Sequence, residues 1–152
     1  FALALAAVFA LWFRSERTLS IHTITTRRRE LFYWSAILFT FALGTAAGDL
    51  LAEGLNLGYT VSVLLFAAAI AVVTVAHLRL RLGAVLAFWI AYVLTRPLGA
   101  SLGDLLSQAR ADGGLGLGTV GTTALFIGTI LILVTYLTRT RKDATEVAAL
   151  AD

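Results

Sequence analysis

The sequence contains no cysteine and no methionine, and it has only one proline among its 152 residues. Without cysteine, the chain has no disulfide framework, no thiolate metal ligand and no cysteine nucleophile. Charged side chains are also scarce, since they make up 14% of the residues whereas soluble domains carry about a quarter. Hydrophobic residues make up 59%, and the mean hydropathy is +0.89. This composition excludes an ordinary soluble domain and predicts a membrane protein.

The apolar residues fall into five segments, at roughly 1–13, 31–52, 59–78, 84–107 and 119–138. Each of the last four is near the 20 or so residues that cross the hydrocarbon of a bilayer. Because backbone groups in lipid must pair internally, these segments are predicted to be helices. The expected fold class is therefore all-α, a polytopic transmembrane helical bundle. The first segment begins at Phe1 inside an apolar run, so we expect it to be the end of a truncated helix in a chain whose N-terminal part is missing.

Two stretches of the chain, 33–50 and 88–105, repeat one pattern 55 residues apart. Both read aromatic-Trp-x-Ala-x-x-x-Thr-x-x-Leu-Gly-x-x-x-Gly-Asp-Leu. The helices that follow also match, because Leu57-Gly58 aligns with Leu117-Gly118. The pattern predicts two parallel copies of a two-helix repeat, repeat A over 31–78 and repeat B over 84–138.

Basic residues give the orientation of the predicted spans. They concentrate in the segment 14–30, in 79–83 and in the tail 139–152, whereas the two alternate connections, 53–58 and 108–118, hold only Arg110. By the positive-inside rule, the first group faces the cytoplasm, including the C-terminal tail, and the second faces outside. The net charge of +3 is thus a topology signal, and no nucleic-acid partner is expected.

Four segments together resemble a known family. They are Glu16-Arg17-Thr18-Leu19-Ser20-Ile21-His22, Arg27-Arg28-Arg29-Glu30-Leu31-Phe32-Tyr33-Trp34, the stretch 40–49 and the stretch 88–101. They resemble bacterial multi-pass membrane proteins, usually labelled uncharacterised membrane-anchored proteins, that are assembled from tandem two-helix repeats of unknown function. The resemblance implies a protein of about four repeats in a bacterial inner membrane, with this chain as its C-terminal part. It implies no settled activity.

Polar residues inside the predicted spans are the candidates for function, since an ionisable group within a membrane is costly. The set is Thr40, Thr45, Asp49, Thr95, Arg96, Ser101 and Asp104. One interpretation is a polar pathway between the repeats. In the other, the two carboxylates are solvated at the outer ends of their helices, because Asp49 lies about 27 Å along its helix from Leu31. Arg96 could equally pair with Asp49 or extend toward the inner face.

Glycine and proline mark packing and geometry in the two copies. Gly44 and Gly48, and likewise Gly99 and Gly103, have the spacing that allows two helices to approach closely in lipid. Pro97 cannot donate a backbone hydrogen bond, so a kink or short break is expected there.

The aromatic and histidine side chains have simpler interpretations. Trp34 and Trp89 lie near the cytoplasmic ends of their spans and are predicted to be interface anchors. His22 and His77 lack companions at metal-ligand spacing, so no metal and no cofactor is expected. No catalytic motif occurs, and an enzyme is not expected.

Two functional hypotheses remain. The first is a transporter of a small ion or solute through the polar pathway. The second is a membrane scaffold or sensor whose glycines only pack helices. In both, the partners are the lipid bilayer and the missing N-terminal repeats, with homo-oligomerisation left open.

Overall fold

The computed structural model describes residues 1–140, and every described element is helical. The long helices are α1 (Ala2–Glu16), α2 (Arg27–Asp49), α3 (Gly58–Leu80), α4 (Ala84–Ser107) and α5 (Gly118–Thr140). Short 3₁₀ turns cover Ile21–Thr23 and Arg110–Asp112, and a π-helical turn, Leu50–Gly54, continues α2. The predicted all-α fold is confirmed. The part of the predicted cytoplasmic tail beyond residue 140 lies outside the described residues.

Four helices are long and apolar enough to cross a membrane: Arg27–Gly54, Gly58–Leu80, Ala84–Ser107 and Gly118–Thr140. They correspond to the four full-length spans predicted from the sequence. Their outward surfaces are rich in exposed large apolar side chains, such as Leu64, Val72 and Ile132. Exposed apolar surface of this extent needs an apolar solvent, which supports a lipid environment.

The interior of residues 1–105 lies where α1, α2 and α4 meet. Its buried apolar residues are Leu5, Trp12, Ala36 and Trp89. The ring of Trp12 stacks on Phe32 with a centroid distance of 6.3 Å and meets Trp89 edge-on at 5.7 Å. These aromatic contacts join three helices from different parts of the sequence, so the core positions α2 directly beside α4.

Local sequence explains where α2 begins and how it ends. The Thr26 side chain accepts a hydrogen bond from the backbone N–H of Arg29 at 3.4 Å, as an N-cap does. At the other end, the backbone widens into the π-helical turn, which closes with a 2.8 Å hydrogen bond from the Leu55 N–H to the Leu50 carbonyl. The span therefore continues past Asp49 as far as Gly54.

Helix α4 runs from Ala84 to Ser107 with Pro97 inside it, so the short break expected there is absent, while the alternative of a kink stays a prediction. A proline in a helix removes one backbone hydrogen bond. Pro97 is buried, and the backbone of Gly44 in α2 packs against it. This tertiary contact supports the helix where its own hydrogen bonding is interrupted.

The described residues 106–140 belong to a second compact unit. The connection before α5 is held by two backbone hydrogen bonds, from Gly116 N–H to the Gln108 carbonyl at 2.8 Å and from Leu117 N–H to the Leu106 carbonyl at 3.0 Å. A Cβ on Gly114 would overlap the Gln108 carbonyl, so this close turn requires glycine.

Candidate functional site

One face of α2 carries a row of small residues that is buried along its whole length. Its members are four residues apart, which keeps them on one side of the helix: Ala36, Thr40, Gly44 and Gly48. We call them row A. The equivalent residues of repeat B, called row B, are Ala91, Thr95, Gly99 and Gly103.

Helix α4 packs directly on row A. A Cβ added to Gly44 would overlap the Cβ of Arg96, and one added to Gly48 would lie 3.4 Å from the Cβ of Ala100 and 3.5 Å from Ser101 Oγ. Because the contacts advance in the same direction along both helices, α2 and α4 run parallel. The two glycines thus bring the backbones together, as small residues do between helices in lipid.

Arg96 lies half-buried at this contact and is held by aromatic rings. Its Nη2 donates a 2.6 Å hydrogen bond to the Tyr92 hydroxyl. Its Cζ lies 5.0 Å from the Tyr92 ring centroid and 5.9 Å from that of Phe41. Both rings are close enough for cation–π attraction, which partly offsets the cost of an arginine within a span. Its Nε is buried and has no hydrogen-bond partner.

Two hydroxyl groups beside this contact are buried without a partner. Thr40 is 0% exposed and Ser101 is 1% exposed, and neither side-chain oxygen makes a hydrogen bond. A buried polar atom without a partner costs about 1–3 kcal/mol, so such atoms are rare in proteins. Together with Arg96 Nε, the hydroxyls of Thr40 and Ser101 are buried polar atoms without a partner on the two helices that meet at row A.

The other two threonines of the predicted pathway do not join this group. Thr45 and Thr95 are exposed, and their hydroxyls donate to carbonyls of their own helices, those of Phe41 at 3.4 Å and Tyr92 at 2.7 Å. These local bonds satisfy the hydroxyls without any second helix.

The carboxylates lie at the far end of the same helices. Asp49 is exposed where α2 passes into the π-helical turn, and Asp104 is half-buried in the last turns of α4. Asp104 is within electrostatic range of both Asp49 and Glu53. Glu53 accepts a 3.1 Å hydrogen bond from the Tyr59 hydroxyl. Glu53 was missed by the sequence reasoning, although it follows Asp49 by four residues and so shares its side of the helix.

An ion pair between Arg96 and Asp49, one of the alternatives from sequence, does not form. Within residues 1–140, the ion pairs join Glu16 to Arg29 at 2.7 Å and to Arg28 at 3.9 Å. No group of three His, Cys, Asp or Glu residues in that range could hold a metal ion. Within residues 1–140, Arg96 therefore interacts with the rings of Tyr92 and Phe41 and forms no ion pair with a carboxylate.

The Glu16–Arg29 contact was also missed from sequence, because its partners are on different helices. Arg29 Nε donates a 2.7 Å hydrogen bond to the Glu16 carboxylate, and this bond holds the pKa of Glu16 below its usual value although partial desolvation opposes it. The contact ties the end of α1 to the start of α2. It thereby joins the two ends of the segment 17–26, which contains Leu19.

The two tryptophans predicted as interface anchors differ in burial, since Trp34 is exposed and Trp89 is buried. Trp34 is 59% exposed on the outside of α2, where an anchor belongs. Trp89 is 4% exposed, and its indole Nε1 donates a 2.8 Å hydrogen bond to the Leu19 carbonyl. The structure thus gives Trp89 a place in the core, because α1 and the segment after it cover the ring.

Within residues 1–105, no helix packs on the glycines of row B, unlike those of row A. A Cβ added to Gly99 or to Gly103 would meet nothing within 4 Å in residues 1–105. Thr95 and Gly99 are exposed. In this structure, α4 therefore lies opposite Gly44 and Gly48. The packing role of Gly99 and Gly103 stays a prediction.

An apolar groove of about 790 Å³ lies between α1 and α4. Phe9, Phe13, Trp89, Val93 and Leu94 are among the residues that line it. None of the predicted pathway residues does. The groove is a surface feature of the helix packing and is separate from the polar contact at row A.

Comparison with known families gives one description for both halves of the chain. A family model described as Repeat of Unknown Function (DUF347) matches residues 32–82 and again residues 87–143. The two matches correspond to the duplication seen in the sequence. No curated protein and no solved structure matches the chain.

Proposed function

Because this chain belongs to the family built from the DUF347 repeat, whose function is unknown, we propose from its own geometry that it carries a small polar solute or ion across the membrane. The proposed pathway runs between the repeats, along the contact of α2 with α4. No side chain in it has the arrangement of a catalytic group, so the proposal is a carrier and not an enzyme.

One observation carries the proposal: a half-buried arginine in a membrane span with an unpaired Nε, accompanied by two fully buried, unpaired hydroxyls. Within a membrane, ionisable residues facing the bundle interior mark solute and ion paths. The Nε of Arg96 and the hydroxyls of Thr40 and Ser101 are all able to donate hydrogen bonds. A solute with oxygen acceptors would give these atoms the partners that the protein itself does not provide.

The carboxylates have a different part in this proposal. Asp49, Glu53 and Asp104 lie near one another at the end of the helices that follows Arg96 in the sequence. In the proposed orientation this end faces outside the cell. A solute crossing the membrane would then meet the three carboxylates at this end and Arg96 within the span one after the other.

A scaffold is the second candidate, and the packing of Gly44 on Arg96 favours it. The contact is so close that a single added carbon would overlap. A protein whose only task is to hold helices together would need this contact, and it would need neither the arginine nor the buried hydroxyls. The unpaired polar atoms are therefore the reason to prefer the carrier.

The proposed location is a bacterial inner membrane. By the positive-inside rule, α2 and α4 begin at the cytoplasmic side of a bacterial inner membrane and the C-terminal tail stays in the cytoplasm. The arginines at 27–29 and at 79 and 81 are the basis for this orientation.

The test is solute-driven charge movement or uptake in proteoliposomes, screened with a panel of small organic acids, sugars, amino acids and inorganic ions. Arg96→Gln and Ser101→Ala are expected to lose the response to a solute that the wild-type protein carries, while helix content and thermal stability persist. Arg79→Gln is the matched control, because Arg79 is exposed at the end of α3. Transport by Arg96→Gln at the wild-type rate, with Arg79→Gln also unaffected, would favour the scaffold.

A further inference from the structure

The contact between the two repeats joins unlike surfaces. Repeat A contributes row A, and repeat B contributes the face of α4 that holds Arg96, Ala100 and Asp104. We call this face B, and the equivalent residues of α2, namely Phe41, Thr45 and Asp49, form face A. A joint between row A and face B is heterologous, meaning that two different surfaces of equivalent helices meet.

Each repeat therefore has one surface of the joint left over. Row B is open, since a Cβ on Gly99 or Gly103 meets nothing within residues 1–105. Face A is open too, because Phe41 is 60% exposed and both Thr45 and Asp49 are exposed. Row B has the same four residue types as row A, whereas face A shares only its aspartate with face B.

We infer that a second copy of this chain covers these surfaces, with row B of each protomer receiving face A of the other. Row A shows that the pattern Ala-x-x-x-Thr-x-x-x-Gly-x-x-x-Gly accepts a parallel helix at this spacing, and row B has the same four residues at the same spacing. Two chains would make two such joints. The four helices, α2 and α4 of each protomer, would then form a closed ring with no row left open.

The residues of face A fit the place that face B occupies. At the position of Ala100, which lies 3.4 Å from a Cβ on Gly48, face A has Thr45, which is also small. At the position of Arg96 it has Phe41, an apolar ring. The second joint therefore buries no unpaired arginine, which removes the main cost of the first one.

The absence of cysteine makes a direct test available. Thr45 and Gly103 are the positions equivalent to Ala100 and Gly48. A Cβ added to Gly48 would lie 3.4 Å from the Cβ of Ala100, which is close to the Cβ separation in a disulfide. Thr45→Cys and Gly103→Cys therefore place two thiols at bonding distance in the inferred joint. We expect membranes containing a mixture of the two single variants, each with a different tag, to form an oxidised dimer containing both tags. Each variant alone should not cross-link, because the joint is heterologous.

Two controls make the result decisive. Thr45→Cys mixed with Leu102→Cys, one residue out of the row, should cross-link at least about tenfold less, since that side chain points about 100° away from the row. Gly48→Cys with Ala100→Cys in one chain should form an internal disulfide and shows that the geometry permits the bond.

A second measurement does not depend on cysteine. Gly103→Leu should convert dimers to monomers in mild detergent, measured by light scattering, while its helix content stays near that of the wild type. Monomeric wild-type protein, cross-linking of either single variant alone, or equal cross-linking of Gly103→Cys and Leu102→Cys with Thr45→Cys would each overturn the inference.

Discussion

Trp34 and Trp89 stand at the same position of two copies of one repeat, yet the first is exposed and the second is buried. The same reversal applies to the small-residue rows, of which row A is covered by α4 and row B is open. A duplicated sequence therefore does not give its copies the same surroundings. Each copy has two contact surfaces, and the chain joins one from each.

The largest expected effect comes from comparing Gly44 with Gly99. Gly44→Leu should lower the free energy of unfolding by at least about 3 kcal/mol, because even one added carbon overlaps Arg96. Gly99→Leu should change it by less than about 0.5 kcal/mol, since the space beside it is open within residues 1–105. Denaturation at a dilution that keeps the chain monomeric measures both values. Equal losses would mean that the two rows are equally packed.

The two tryptophans should differ by a smaller amount. Trp89→Phe removes the hydrogen bond to the Leu19 carbonyl and leaves that carbonyl without its partner, which should cost about 1–3 kcal/mol. Trp34→Phe should stay within about 0.5 kcal/mol. Thermal unfolding in detergent compares them, and a loss in Trp34→Phe as large as that in Trp89→Phe would contradict the difference in burial.

Two arginines just before repeat A, Arg29 and Arg28, should contribute differently to stability in acid. The pKa of Glu16 is lowered by the hydrogen bond from Arg29, so its contribution to stability is complete above its unfolded value of 4.5 and is lost as the pH falls through the lower folded value. Arg29→Gln should flatten this acid limb of the stability curve, whereas Arg28→Gln, whose contact is 3.9 Å long, should leave it nearly unchanged. Melting temperatures between pH 3 and 6 provide the measurement. An unchanged limb in Arg29→Gln would rule out this contact as its source.

Single cysteine substitutions at exposed positions should disturb the protein least, and they test the orientation shared by the two copies. Cysteines placed at Asn56 and Leu115 should react with a membrane-impermeant thiol reagent in intact cells, whereas one at Thr140 should react only after lysis. All three side chains are exposed, so a difference in labelling reports the side of the membrane. The reverse pattern would invert the orientation of both repeats.

Much of the fold could be predicted from the sequence, because the backbone polar groups of a segment in lipid must pair internally, as they do in a helix. The four long spans agree with the apolar segments to within a few residues, apart from the extensions at Arg27 and Gly54, where the N-cap at Thr26 and the π-helical turn add polar residues. The contact of Pro97 in α4 with the backbone of Gly44 could not be predicted, since the two residues are more than fifty positions apart.

The candidate site was predicted only in part. The sequence identified Thr45 and Asp49 as pathway candidates, but it could not show that both are exposed. The contacts of Glu16 with Arg29 and of Trp89 with Leu19 join residues 13 and 70 positions apart, and no local pattern indicates them. Residue type identified Thr40, Arg96 and Ser101, and only the packing separated them from Thr45 and Thr95.

The π-helical turn has a consequence for how the protein lies in a bilayer. With it, the continuous helical stretch Arg27–Gly54 has 28 residues and a length of about 42 Å, compared with about 30 Å of hydrocarbon. A helix longer than the bilayer tilts or extends into the headgroup layer. Gly44 and Gly48 pack α2 closely on α4. We therefore expect the two helices to change their tilt together in a thinner or thicker membrane.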